Sequence, residues 1–256
     1  MSTIYKYQSF NINSLSSIIN SELWFSLPRD FNDPLDCTIN LKVVNFPDEH
    51  NSKSFYQAMQ NEFPDTSLES KISAFKKDKT IFEEDYKRFF NLMSKKSIGI
   101  ACFSKFSSHP LMWAHYTDGH SGFCLGFNRE KLEKSFGKNV IYDVDYPVKR
   151  RPISVDANPE NNMQIEFNPI PVFTSKYNFW RYEKEVRAIL DFSSEKKSQL
   201  VKYNSEALTE VIFGIKMPEK EKMLLIKTIG NKNINFFNAR INEATGKIEK
   251  DFIFIN

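Results

Sequence analysis

Residues 102–127, CFSKFSSHPLMWAHYTDGHSGFCLGF, decide how the rest of this chain is read. Three of the four histidines, two of the three cysteines and three of the eight glycines fall here, between segments that read as apolar strands. The pattern predicts a strand over Gly99–Ser104, a helix over Pro110–Asp118, a tight turn, and a strand over Gly122–Phe127. Ser107 or Ser108 can cap the helix, and Pro110 suits its first turn, where no amide proton is needed. Gly119 supplies a left-handed stop. On this helix Leu111 and His115 lie four apart, as do Met112 and Tyr116, so His115 and Tyr116 leave it near its C-terminal end. Trp113 reads either as core or as a ring-holding surface.

Outward from this stretch, strands recur with helices between them. Ile4–Phe10 alternates as a strand, a short helix follows over Leu15–Asn20, and Leu23–Ser26 returns as a second strand. PRDFNDPLDC, residues 28–37, is dense in Pro, Asp and Asn. It reads as a turn whose Asn32 and Asp33 bond the backbone locally, or as a loop that sets a polar group beside a pocket. Residues 48–97 lack Gly and carry apolar residues at helical spacing (Phe55, Met59 and Phe63, then Ile72, Phe75, Ile81, Tyr86, Phe89 and Met93). These predict two or three helices broken at Pro64, inserted into the domain and covering one face of a sheet. Asn128 caps a helix to Phe136, and Val140–Tyr146 is a strand. Residues 149–163 read as a loop whose Lys149, Arg150 and Arg151 suit phosphate contact or a plain solvated surface. Pro169–Thr174 reads as a short strand, Lys176–Tyr182 as a helical turn, and Glu185–Phe192 and 208–215 as strands. A helix from Pro218 to Thr228 and a hairpin turning at Glu243–Gly246 complete the chain. The expectation is one α+β domain over residues 1–256, its sheet mixed and largely antiparallel, with 48–97 as a helical insertion.

Composition narrows the setting. A formal charge of +3 on 256 residues neither demands nor excludes a nucleic-acid partner. Cysteines at 37, 102 and 124 make no disulfide framework, the first residues are no signal peptide, and no apolar run reaches membrane-spanning length. A cytoplasmic protein with no membrane partner is expected. The common nucleotide, metalloprotease and hydrolase motifs are absent. His115 and His120, with Asp118, Asp143 and Asp145, match no standard ligand spacing, so no metal is expected. Cys102 or Cys124 beside His115 reads better as an inert small hydrophobe than as a nucleophile.

Glu183-Lys184-Glu185 carries more. Two carboxylates one residue apart, entering a strand, project to one face, with Trp180 and Tyr182 before them and Arg187 after. Glu185 and Arg187 read as a same-face ion pair. Alternatively, an acidic residue at a strand edge beside aromatic surfaces suits reactions that pass through a sugar oxocarbenium ion.

YKYQSF, ELWFSLPRDFNDPLD, the 102–127 stretch, WRYEKEVRAI and VIFGIKM follow one another between residues 5 and 216. In this order, and in FNDP, MWAHY and WRYEKEVR, the chain resembles the bacterial family called domain of unknown function 2971, which includes proteins associated with abortive infection and phage defence. More weakly, the layout is similar to ADP-ribosyltransferases: a polar residue on an early strand, Ser or Tyr ending a second, and a catalytic Glu, often as ExE, opening a later one. That resemblance implies an ADP-ribosyltransferase-like fold with NAD as substrate. ADP-ribose would be transferred to a nucleic-acid or protein acceptor, or NAD would be cleaved. Lys6 or Tyr7, Ser26 and Glu183-x-Glu185 fill those places. The first strand has no Arg or His, and the second no Ser-Thr-Ser run. Glu185 would then stabilise the oxocarbenium ion and Glu183 orient or deprotonate the acceptor. His115 would position ribose or phosphate, and Tyr7, Trp113 and Tyr116 hold rings. Asn32, Asp33, His120, Trp180 and Arg187 complete the expected binding set. A phage trigger protein or an antitoxin is an expected partner. The rival readings are a non-catalytic sensor or interaction module and a metal-dependent nuclease using His115 and His120.

Overall fold

A computed structural model describes residues 2–62, 64, 67–157, 168–192, 199–230 and 233–254, without the side chains of Asn61 and Lys95. The strands are β1 (Thr3–Gln8), β2 (Glu22–Trp24), β3 (Leu41–Asn45), β4 (Ile98–Ser104), β5 (Phe123–Asn128) and β6 (Ile141–Asp143), then β7 (Ile153–Asp156), β8 (Glu185–Asp191), β9 (Leu200–Lys202), β10 (Leu208–Phe213), β11 (Asn235–Ile241) and β12 (Ile248–Phe252). The helices are α1 (Ile12–Asn20), α2 (Glu49–Glu62), α3 (Leu68–Lys77), α4 (Ile81–Ser97), α5 (Pro110–Tyr116), α6 (Arg129–Phe136), α7 (Ile170–Phe173) and α8 (Glu219–Ile229).

Eight strands form one sheet in the order β12-β11-β10-β5-β1-β4-β8-β6. Every neighbouring pair is antiparallel except β10 and β11, which run parallel with α8 between them in sequence. The fold is therefore α+β with a large, mostly antiparallel sheet. Two smaller sheets pair β2 with β9 and, in parallel, β3 with β7; of these strands β2 overlaps the expected Leu23–Ser26, whereas β3, β7 and β9 are not among the expected strands.

Alternation along the strands sorts side chains onto two faces. One face carries a continuous core of Ile4, Phe25, Ala101, Phe103, Phe123, Leu125, Phe127, Val186 and Ala188. The other face is divided. On one side α5 lays Met112 and Trp113 over Tyr7, Cys124 and Ile212. On the other, Tyr56, Met59, Phe75, Phe82 and Tyr86 of α2–α4 pack with Val155 and Phe173 over Ile100 and Ile189. The ground between the two clusters is where the sheet opens. β1 matches β5 at six residue pairs but β4 only at Tyr5–Ser104. Farther along β4, Ser26 exchanges both backbone bonds with Ile100, and the Lys6 ammonium donates to the Cys102 carbonyl at 3.1 Å. An unpaired backbone carbonyl in a sheet interior is costly, and here one side chain and one loop close the edge that β1 leaves.

Several local expectations change. Within Pro169–Thr174 the chain forms helix α7 (Ile170–Phe173), not a strand; the Asn168 side chain accepts from the Ile170 amide and Thr174 N–H closes onto the Ile170 carbonyl. Proline at 169 and 171 removes donors that a ladder would use. Neither Ser107 nor Ser108 caps α5. His109 occupies that position without a side-chain bond, while the Ser107 carbonyl accepts from Trp113 Nε1 and the Ser108 carbonyl from the Ile248 amide. Positive φ after α5 extends over Asp118, Gly119 and His120 rather than Gly119 alone. The 149–163 segment contains β7, with its positions 158–163, like Phe63, outside the described residues.

The turn after α5 is gripped by the residues that follow β10. Gly214 N–H donates to the Gly122 carbonyl at 2.8 Å and Lys216 N–H to the His120 carbonyl at 3.0 Å. A Cβ on Gly214 would lie 2.2 Å from the His120 carbonyl oxygen, which is backbone and cannot swing aside. Gly214→Ala is expected to cost about 1–3 kcal/mol through this overpacking, read as a lowered midpoint in denaturant unfolding.

Candidate functional site

Where β1 and β4 part, a pocket of about 470 Å³ opens, within the size range of small-molecule sites. Its wall includes Tyr5, Lys6 and Tyr7 of β1, Cys102 and Ser104 of β4, Ser26, Phe31, Asn32 and Asp36 of the loops after β2, and Met112, His115 and Tyr116 of α5. Lys176, Glu183 and Glu185 complete it.

The pocket rests on a buried charge cluster. Arg187 on β8 is 0% exposed, and its guanidinium grips two carboxylates. Nε and Nη2 donate to Glu185 Oε1 and Oε2, both at 2.9 Å. Nη1 and Nη2 donate to Asp36 Oδ1 and Oδ2 at 3.0 and 2.6 Å, and Nη1 also to the Phe173 carbonyl at 2.8 Å. Such paired forks are the strongest form of Arg–carboxylate bond. Beside it Lys176 Nζ lies 2.6 Å from Glu183 Oε2, 3.5 Å from Glu185 Oε2 and 3.6 Å from Asp36 Oδ2. Tyr116 donates its hydroxyl to Glu183 Oε1 at 2.6 Å, and the Tyr146 hydroxyl accepts from the Glu185 amide at 2.8 Å.

Local sequence explains how these groups arrive. Asp33 does accept a backbone N–H, that of Leu35, at 2.9 Å, and Asp36 N–H closes onto the Asp33 carbonyl. That turn, with Cys37 at φ 54°, aims Asp36 inward. Arg150 then ties this loop to the α7 segment, donating to the Leu35 and Ser175 carbonyls at 3.1 and 2.8 Å. Glu183 is not part of the strand. It ends a 3-10 helix over Asn178–Glu183, and Lys184 at φ 45° turns the chain into β8. Glu183 and Glu185 nevertheless meet at Lys176, through that turn rather than through strand alternation.

Three carboxylates against two cations leave the cluster one formal negative charge in excess. Burial raises the pKa of Glu183, and Lys176 only partly offsets this, so its carboxyl sits above the ordinary carboxylate range. Burial also pushes Glu185 and Asp36 upward, but Arg187, with Lys176, outweighs it and holds both below that range. Lys176 stays charged because Glu185 and Glu183 overcome its own burial. Two carboxylates pushed in opposite directions distinguish a group that can exchange a proton from one kept ionised. Lys6 is different again. Among the described residues its ammonium meets the Cys102 carbonyl and the Phe103 ring, and burial lowers its pKa although Glu185 partly offsets this.

Of the residues expected from sequence, Lys6, Tyr7, Ser26, Asn32, His115, Tyr116, Glu183 and Glu185 line this one pocket. Trp113 stands behind it, 0% exposed, edge-on to Tyr7 at 5.3 Å. Asp33 shapes the turn, and Arg187 lies under Glu185 as its ion-pair partner. Trp180 covers Lys176, whose Nζ is 4.7 Å from its ring centroid. His120 does not line the pocket; it sits in the turn gripped by the residues that follow β10, at φ 74°. The sequence reading passed over Asp36 and Lys176. Asp36 stood within PRDFNDPLDC and Lys176 opened KYNFWRYEKE, but nothing local marked either as buried. Among the described residues no group of three or more His, Cys, Asp or Glu is placed to hold a metal ion. Burial pushes the thiols of Cys37, Cys102 and Cys124 upward, which keeps them protonated.

The matched family model coincides with much of this site. Residues 112–188 match the model of a family described as Protein of unknown function (DUF2971). No curated protein and no solved structure matches the chain. The matched segment, less than half the chain, runs from α5 into β8. It holds His115, Tyr116, Lys176, Glu183, Glu185 and Arg187, while Lys6, Ser26 and Asp36 come from before it. Among the described residues no helix is long and apolar enough to cross a membrane.

Two outcomes are expected from the cluster. Arg187→Leu leaves Glu185 and Asp36 buried with only Lys176 between them and should cost about 3–5 kcal/mol in denaturant unfolding. Glu183, whose folded pKa is raised, contributes stability below its unfolded pKa that is lost as pH rises through the folded value. Asp36 and Glu185, whose folded values are depressed, lose their contribution as pH falls. In melts from pH 4 to 8, the melting temperature of Glu183→Gln relative to wild type should therefore climb with pH.

Proposed function

We propose that this pocket is a catalytic site acting on the ADP-ribosyl group of NAD, by transfer to an acceptor or by hydrolysis, in an effector of phage defence. The observation that carries the reading is the pair of carboxylates at the pocket floor, one clamped and ionised, the other able to take a proton. The weak ADP-ribosyltransferase resemblance supplies the substrate, and the parted sheet lined by Tyr5, Tyr7, Phe31 and Tyr116 offers flat surfaces for its rings.

In this reading the two carboxylates keep the roles expected from sequence. Both Glu185 oxygens are held by Arg187, so Glu185 acts by keeping negative charge fixed beneath the sugar, with little freedom to reach it. Glu183 is the proton-transfer group. As the C1′–nitrogen bond breaks, its electron pair returns to the nicotinamide ring and neutralises the pyridinium. The excess negative charge of the cluster favours the oxocarbenium ion so formed. The acceptor oxygen, from water in hydrolysis, bonds to C1′ and yields its proton to Glu183. Lys6, Ser26, Asn32 and His115 line the pocket and carry side-chain donors that suit the phosphate and hydroxyl oxygens.

NAD incubated with the protein should release nicotinamide, and Glu183→Gln should lower the rate by about 10²–10⁴-fold while the melting temperature at pH 5 stays near wild type. Wild-type protein that binds NAD without consuming it favours the sensor reading, which the pairing of the three buried carboxylates with Arg187 and Lys176 also supports. The nuclease reading requires His115 and His120 at one centre, and only His115 lines the pocket.

A further inference from the structure

Outside the pocket, one feature of the 3-10 helix is unexplained by packing alone. Its aromatic residues form a continuous ladder. Tyr177 and Phe179 stack at 5.6 Å with an interplanar angle of 4°, Phe179 meets Trp180 at 6.0 Å, and Trp180 meets Tyr182 at 6.2 Å. Tyr182 stacks in turn on His109, at 5.3 Å, just before α5. A core ladder would be covered, yet Phe179 is 66% exposed. The ladder reaches the pocket at Trp180, since Lys176 lies over that ring and bonds Glu183.

Among the described residues, exposed charge along the ladder is mostly positive. Arg150 places its guanidinium 5.3 Å from the Tyr177 ring, which brings the 147–152 segment alongside. That segment, PVKRRP, has three cations and no acid, and YNFWRYEK (177–184) adds Arg181 and Lys184. Its single acid, Glu183, is buried, whereas Lys149, Arg151, Arg181 and Lys184 are exposed. Asp145 is the nearest exposed carboxylate in sequence, and Asp143 is already bound by Lys105 and Arg129.

We infer that this face binds single-stranded nucleic acid, whose bases stack on the Phe179 end of the ladder while its phosphates meet Lys149, Arg151 and Arg181. Flat rings flanked by cations suit an unpaired strand, because every base offers a π face and a regular backbone charge. A duplex hides those faces, and an acidic peptide has charge without rings. The docking face stands on its own observations. That the bound strand is the acceptor rests on the ADP-ribosyl reading above.

The test is fluorescence anisotropy of labelled 12-nucleotide single strands, DNA and RNA in separate arms, titrated with the full chain without NAD. Saturable binding that weakens with salt is expected, and Phe179→Ala, an exposed change, should weaken it about tenfold with an unaltered melting temperature. Lys149→Ala and Arg151→Ala should each lower the salt slope by about 0.7. Absence of binding by both single strands overturns the inference. So does equal affinity for the matching duplex, or displacement by polyglutamate as effective as by unlabelled strand. Because NAD is absent, loss of nicotinamide release with strand binding intact would remove only the acceptor role and leave the docking face standing.

Discussion

Arg187 is the constraint on which the site depends. It sits in the middle of β8 with no exposure, so its charge must be answered inside the protein. Glu185, two residues before it, answers from the same strand; Asp36 answers from a loop 151 residues away. Joining these pins the 28–37 loop, the α7 segment and the mouth of the sheet into one arrangement. Replacing such a cluster by apolar side chains is often neutral or stabilising in other proteins, so stability alone is a poor reason for it. Specific placement of Glu183, Glu185 and Lys176 at a pocket is a better one.

The split between β1 and β4 and this cluster are two parts of the same design. A fully paired sheet would leave no cavity at its centre. With β1 turned toward β5, the β4 edge receives Ser26 and Lys6 in place of a strand, and the space so left is walled by side chains from five separate segments. The two clusters on that face, one under α5 and one under α2–α4, make the banks of the cleft. The α2–α4 region thus contributes a wall of apolar packing, with Phe173 touching both that packing and, through its carbonyl, Arg187.

The sequence by itself marked the alternation of strands and helices around MWAHY, which rests on spacing of two or of three to four residues, and the Asn128 cap and closing hairpin, which rest on residue type at a helix start and a turn. It also marked Glu183, Glu185, Tyr116, His115, Asn32 and Lys6, which stand beside rare or patterned neighbours. Only the tertiary structure decided which of these share a pocket and which carry other duties. Trp113 went to the core, Asp33 to a turn, His120 to a backbone grip, and Arg187 beneath Glu185. Asp36 and Lys176 resemble any surface Asp and Lys in sequence, since no local period encodes burial of a charge. Their role follows from the partner each meets across the chain, and that long-range pairing exists only once the sheet has formed.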